Sequence, residues 1–333
     1  MHYKFLGKTG LQVSAFSFGT MTFGGEADET TSAALYRECR NAGINLFDCA
    51  NVYHNGKSEE ILGRLIKNER AEVLISSKAY FATGKDINAK GLSRRHILQA
   101  FEASLKRLQT DYIDIYYMHR FDEHTPLEES LRAMSDLVTS GKVIYLGVSN
   151  FAAWQIMKGL GLSALHNLSA FQVIQPMYNL LKRQAEVEIF PLAQLENLAV
   201  ISYNPLAGGM LSGKYLIKKP AEGTRFNEKK MYQLRYQDKA LEEATARFVA
   251  FSKSHGYSPV SLAIAWVASH PAVTCPMLGA RSLAQLQECL KATEINMTQE
   301  LRKEISALTP EPPLATDRSD ELFEDPNVLL QQK

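Results

Sequence analysis

Short runs of β-branched and aromatic residues alternate with segments of helical period about eight times along this chain. The strand-like runs lie at 16–20, 44–48, 73–78, 112–118, 143–148, 169–173, 199–203 and 273–278. The helix-period segments are 30–42, 58–68, 93–108, 127–140, 152–162, 183–197, 240–255 and 282–292. Strands separated by helices do not pair as hairpins. They pair in parallel, and the crossover helices cover the sheet.

Polar residues close several of these runs. Ile44 to Phe47 runs into Asp48, with Tyr53 five residues on. Val73 to Ser77 runs into Lys78, and Ile113 to Met118 into His119. An open sheet gathers its chemistry at one switch point, whereas a closed barrel brings the ends of successive strands to one mouth. The spread of these residues along the chain therefore predicts an α/β fold, a (β/α)8 TIM barrel, with residues 1–333 forming one domain. Tyr3–Leu6 and Leu11–Val13 flank Gly7-Lys8-Thr9-Gly10 and predict an N-terminal β-hairpin. Helix punctuation agrees: Ser58, Asp28 or Thr30, and Ser282 stand where N-caps are expected, and Gly141 where a helix stops. Residues 205–238, polar and rich in Gly, Lys and Arg, predict a long loop after strand 7, and 309–333 an irregular tail.

Charge and composition narrow the function. Lys plus Arg number 37 against 36 Asp plus Glu, so no broad basic surface points to nucleic acid. No apolar stretch approaches the roughly 18 residues of a membrane span, and the N-terminus has no signal-peptide core. Cys39, Cys49, Cys275 and Cys289 have no metal-ligand spacing and read as reduced thiols of a cytoplasmic protein. A sugar isomerase or metal-dependent lyase would need His, Asp and Glu clustered at several strand ends, and only one His is so placed. No metal site is expected.

The segment Gly43 to Asp48-Cys49-Ala50-Asn51-Val52-Tyr53, followed by Gly56-Lys57-Ser58-Glu59 and Leu62-Gly63, resembles the first signature of the aldo-keto reductases. Leu105 through Asp111-Tyr112-Ile113-Asp114 to His119 is similar to a second. Gly147-Val148-Ser149-Asn150-Phe151 and Ser202-Tyr203-Asn204-Pro205-Leu206 extend the likeness over about residues 3 to 308, and it looks closest to bacterial members related to potassium-channel β subunits. The resemblance implies a catalytic tetrad of Asp48, Tyr53, Lys78 and His119, and reduction of an aldehyde or ketone by hydride from NADP(H). The chemistry of the residues agrees. Hydride arriving at a carbonyl carbon leaves charge on oxygen, and an acid must protonate it. Tyr53 is the expected acid, with its pKa lowered by the Lys78 ammonium, which Asp48 positions. His119 is expected to orient the substrate oxygen.

No Rossmann fingerprint is present. Gly159-Leu160-Gly161-Leu162-Ser163-Ala164 follows a helical pattern and reads as helix-end punctuation. The resemblance instead implies that Ser149, Asn150 and Gln172 bond the carboxamide, and that Tyr203 stacks on the ring. Asn204, Leu206 and the Gly208-Gly209 backbone would line the pyrophosphate, with Lys214 and Arg225 bringing charge. Arg281 would fork onto the 2′-phosphate beside Gly279, and Gln285 and Glu288 would contact the adenosine. Gly19, Thr20, Met21, Asp48 and Leu211 complete this expected set. Three positions depart from the family pattern: Cys49 stands for Thr, Asn204 for Ser and Cys289 for Asn.

Phe23, His54, Tyr80, Phe81 and Arg120 follow the early strands and are expected to border the substrate with Tyr53 and His119. An aromatic rim suggests unspecialised aldehydes or aryl carbonyls. The rival to a reductase is an NADP(H)-binding regulatory subunit with negligible turnover. The intact tetrad and the lack of a long N-terminal extension favour the enzyme, and nothing in the sequence marks an oligomeric state.

Overall fold

A computed structural model describes residues 1–216 and 230–316. Residues 217–229 of the long loop, including Arg225, and residues 317–333 of the tail lie outside the described residues. β1 (Tyr3–Phe5) and β2 (Gln12–Ser14) pair antiparallel as the expected hairpin. Gly7 turns it at φ +58°, and a Cβ there would fall 2.6 Å from the Asn197 carbonyl oxygen, so only glycine fits.

Eight strands then close a barrel through parallel pairs only. They are β3 (Ser17–Gly19), β4 (Leu46–Asp48), β5 (Leu74–Ala79), β6 (Ile113–Met118), β7 (Val143–Ser149), β8 (Phe171–Gln175), β9 (Ala199–Ser202) and β10 (Cys275–Leu278). Side chains alternate between two cores with the strand period of two. Leu46, Ile115, Tyr117, Val173, Ile201 and Cys275 fill the interior together with Leu6 and Val13 of the hairpin. The hairpin thus plugs the N-terminal end of the barrel. Phe47, Ile75, Tyr116 and Ile174 point outward against the helices. Asp48, Lys78 and His119 follow in the inward register, which delivers them to the open C-terminal mouth.

The covering helices are α1 (Glu29–Asn41), α2 (Lys57–Ile66), α3 (Arg94–Leu108), α4 (Leu127–Thr139), α5 (Ala153–Leu165), α6 (Ile189–Leu195), α7 (Lys230–Tyr236), α8 (Lys239–Ser254), α9 (Pro259–Ala268), α10 (Leu283–Leu290) and α11 (Gln299–Ser306). Asp28 caps α1 and Ser282 caps α10, as expected. Gly141 follows α4 at φ +72°.

Two local readings need correction. Ser58 does not cap α2; Gly56 precedes that helix in the left-handed region, and the buried Ser58 hydroxyl donates instead to the Thr20 carbonyl at 2.7 Å. Gly159 and Gly161 do not end α5, which runs on to Leu165. Gly159 is there for contact, since a Cβ would lie 2.4 Å from the Phe171 ring.

Candidate active site

Asp48 ends β4, Lys78 lies near the end of β5, and Tyr53 opens the turn after β4. Lys78 and Asp48 are 0% and 1% exposed. The Lys78 ammonium pairs with the Asp48 carboxylate and donates to the Cys49 carbonyl at 2.7 Å. It also reaches the Tyr53 hydroxyl at 3.4 Å. Ser76 and Gln175 donate to the free side of Asp48 at 2.6 and 2.9 Å, so the carboxylate is satisfied on every side. Across the mouth the His119 ring stands edge-on to Tyr53 at 6.2 Å and to Phe81 at 4.9 Å.

The electrostatics differ from the sequence expectation at Tyr53. Burial, and next the Asp48 carboxylate, hold its phenol well above the ordinary tyrosine value. The Lys78 ammonium, paired with Asp48, does not outweigh these two effects. Tyr53 is therefore a proton-bearing group across the neutral range. His119 is held well below the usual imidazole value by burial and by the Lys78 charge, and so stands neutral. Its Nδ1 is buried with no hydrogen-bond partner among the described residues.

A cavity of about 960 Å³ opens above these groups and runs along the barrel mouth. Gly19, Met21, Tyr53, His119, Ser149, Asn150 and Tyr203 line its inner end, and Asp48 and Lys78 lie behind. Asn150 donates to the His119 carbonyl at 2.9 Å and accepts from the Tyr203 hydroxyl at 2.7 Å. Asn204, Leu206, Gly208, Gly209 and Lys214 form the middle wall. Here the backbone donors are engaged: Gly208 N–H bonds the Asn204 side chain at 2.7 Å, and Gly209 N–H bonds the Leu206 carbonyl at 2.8 Å. Asn204 also donates to the Tyr236 hydroxyl at 2.7 Å, tying this loop to α7. Gly279, Arg281, Gln285, Glu288 and Cys289 line the far end.

Several expected positions fall elsewhere. Gln172 faces away from the mouth and bonds the Ala170 carbonyl, while Gln175, three residues on, holds the inward position. Phe23 is fully buried against Phe18, because the loop after β3 folds back, with the Gly24 N–H donating to the Ala27 carbonyl and the Ala27 N–H to the Thr22 carbonyl. It does not line the cavity. Thr20 is buried beneath the mouth, bonding the Asp48 carbonyl, and Leu211 is buried beneath its loop. His54 turns toward Glu26 at 3.4 Å, and Tyr80 packs behind Phe81. Phe81 and Arg120 do line the cavity. Cys49 packs behind the site, 3.2 Å from the Ser58 hydroxyl, and burial pushes its thiol up to about 12.

The sequence reading missed Gln175 and the face of α7 that carries Met231, Tyr232 and Arg235 into the cavity. Gln175 was findable, since it is a polar residue closing an apolar run, like Lys78. No periodicity marked α7, a helix of seven residues.

Residues 15–309 match the model of the aldo/keto reductase family. The chain belongs to the aldo/keto reductase family. Among its relatives is a probable voltage-gated potassium channel subunit beta of Oryza sativa subsp. japonica, 38% identical over 95% of this chain and 99% of the relative. A protein of the same description from Arabidopsis thaliana is 38% identical, over 89% of this chain and 92% of its own length. A Bacillus subtilis protein described as an uncharacterized oxidoreductase is 36% identical, over 94% of this chain and 97% of its own length. Among the described residues of this aldo/keto reductase no helix is long and apolar enough to cross a membrane, and no three His, Cys, Asp or Glu side chains gather as a metal site.

Proposed function

We propose that this aldo/keto reductase is a cytoplasmic, one-domain enzyme that reduces aldehydes and ketones to alcohols with NADPH. The observation that carries the reading is the buried Lys78 ammonium set between the Asp48 carboxylate and the Tyr53 hydroxyl, with His119 facing Tyr53 across the cavity. The cavity fits a dinucleotide in chemistry as well as in size. Amide groups of Asn150 and Gln175 stand near the tyrosine, and the cations Lys214 and Arg281 stand along the way out. Ser149, Asn150 and Gln175 would hold the carboxamide, with Tyr203 beneath the ring. Arg281, Gln285 and Glu288 would hold the adenosine and its phosphate. The nicotinamide supplies the hydride when bound.

The chain's own groups do the rest. Tyr53 hydrogen-bonds the carbonyl oxygen and gives it a proton as charge develops there. The phenolate left behind faces Lys78, whose ammonium stabilises it without moving. Neutral His119 can donate one N–H to the same oxygen and fix the carbonyl's angle. An imidazolium there would stand against Lys78, which the depressed His119 value disfavours. Phe81 beside His119 offers an aromatic wall to the substrate body.

A second reading, an NADP(H)-binding regulatory subunit with negligible turnover, is favoured by the names of the rice and Arabidopsis relatives. Loss of the reduced-nicotinamide absorbance with a reactive aldehyde separates the two. The enzyme consumes NADPH in proportion to aldehyde. Tight NADPH binding with no consumption across a broad aldehyde panel would leave the regulatory reading standing.

A further inference from the structure

Two arginines, Arg120 and Arg235, line the same cavity as Tyr53 and His119, and among the described residues neither has an ion-pair or hydrogen-bond partner. Arg120 directly follows His119 at the end of β6 and is exposed on the rim. Arg235 enters from α7, a turn beyond Tyr232 on the same face. Its charge acts on the Tyr203 phenol, which bonds Asn150, which in turn holds the His119 carbonyl. Arg235 and Tyr203 line the same cavity as Tyr53 and His119.

Among the described residues, the acidic side chains that line the cavity are Glu26 and Glu288. Glu26 lines the cavity but faces His54 at 3.4 Å, and Glu288 lies at the far end with Lys291 at 2.9 Å. A guanidinium on the wall of a binding cavity without a protein carboxylate is suited to a ligand carboxylate or phosphate, which it bonds through its fork. Phe81 beside His119 supplies an apolar contact between the rim and the reacting carbon.

Building on the reductase reading, we propose that Arg120 and Arg235 select anionic carbonyl substrates, in which an aldehyde or ketone is joined through an apolar body to a carboxylate. The carbonyl meets Tyr53 and His119, and the carboxylate meets the arginines. The pair raises kcat/KM for the acid chiefly through KM, because the carboxylate is held alike before and during hydride transfer.

The test compares 4-carboxybenzaldehyde with its methyl ester, which keeps the aldehyde and the ring but removes the charge. The unmodified protein should prefer the acid, and the preference should shrink as salt is raised from 0.05 to 0.5 M, about a threefold shortening of the screening length. Arg235→Gln and Arg120→Gln should each lower the acid-to-ester ratio of kcat/KM by about 10-fold or more, in line with a charge-assisted bond. Arg235→Lys should restore part of it. Equal use of acid and ester by the unmodified protein would overturn the proposal while leaving the reductase reading intact. So would a fall in NADPH affinity in Arg235→Gln with an unchanged acid-to-ester ratio, which would assign Arg235 to the cofactor. No turnover of either aldehyde would count against the reductase reading itself.

Discussion

Lys78 Nζ lies 3.4 Å from the Tyr53 hydroxyl while its charge is paired with the Asp48 carboxylate, and the lysine and the aspartate are both sealed from solvent. A buried pair of this kind is asymmetric in its energetics. Removing one partner strands the other charge, whereas removing both does not. Lys78→Met should therefore destabilise the protein by about 3–5 kcal/mol, and Asp48→Asn by a similar amount. The double variant should recover most of that stability and none of the turnover. Urea unfolding of the three variants checks this, and additive losses in the double variant would refute the pairing argument.

Tyr53→Phe should keep the fold and NADPH binding but lose about 100-fold or more in kcat, the usual contribution of a positioned acid. The pH profile gives a second view of the same group. Tyr53 is held above its ordinary value and His119 below its own. Reduction should thus run level from about pH 7 to 9, since neither group changes protonation between the ordinary values of about 6.5 and 10. A steep fall in kcat centred near pH 8 would show the phenol titrating there and would contradict the burial argument.

Much of this site was written in strand ends. Asp48, Lys78 and His119 each close an apolar run, and period-two alternation carries all three inward. The same rule covers Gln175, but ending the sixth run at residue 173 stopped the strand two residues short and moved attention to the outward Gln172. Phe23 was misplaced for a different reason: no local pattern tells a loop residue that its loop folds back onto the core. α9 escaped because it has no polar face. Seven of its ten residues, Ser261 to Val267, are buried in succession, so the helical period that marks surface helices is missing. Gly159 looked like a terminator, and only the Phe171 ring lying against it explains a glycine in mid-helix. These are tertiary facts, and the residues that obey local rules are the ones the sequence revealed.

His270 links stability to pH. Its ring packs on Tyr178 and Phe190, and its Nδ1 accepts from the Ala272 N–H at 3.2 Å. Burial, then the charge of Arg302, lower its pKa to about 4, with Glu186 opposing and Arg183 adding to the effect. The unfolded chain binds a proton near 6.5, the folded protein only near 4, so stability falls as pH drops through that window. His270→Gln, which cannot titrate, should flatten the fall without abolishing it, because His119 and His96 are lowered too. Urea midpoints at pH 7 and pH 5 read the slope, and an unchanged slope in the variant would remove His270 from this account.

Arg281 lines the cavity just before the Ser282 cap of α10, with its backbone N–H bonded to the Gln285 side chain at 3.1 Å. That bond orders the turn at the start of the helix, where an anion is favoured by the helix dipole as well as by the guanidinium. If this corner receives the 2′-phosphate, Arg281→Ala should weaken NADPH by about 10- to 100-fold and leave NADH nearly unaffected, the range expected for a charge-assisted bond. Titration of both dinucleotides by quenching of protein fluorescence gives the ratio directly. Gln285→Ala should weaken both cofactors alike, because that side chain has no charge to distinguish them. A matched loss of NADPH and NADH in Arg281→Ala would mean that the arginine supports the adenosine or the turn, and that NADPH is selected by some other group.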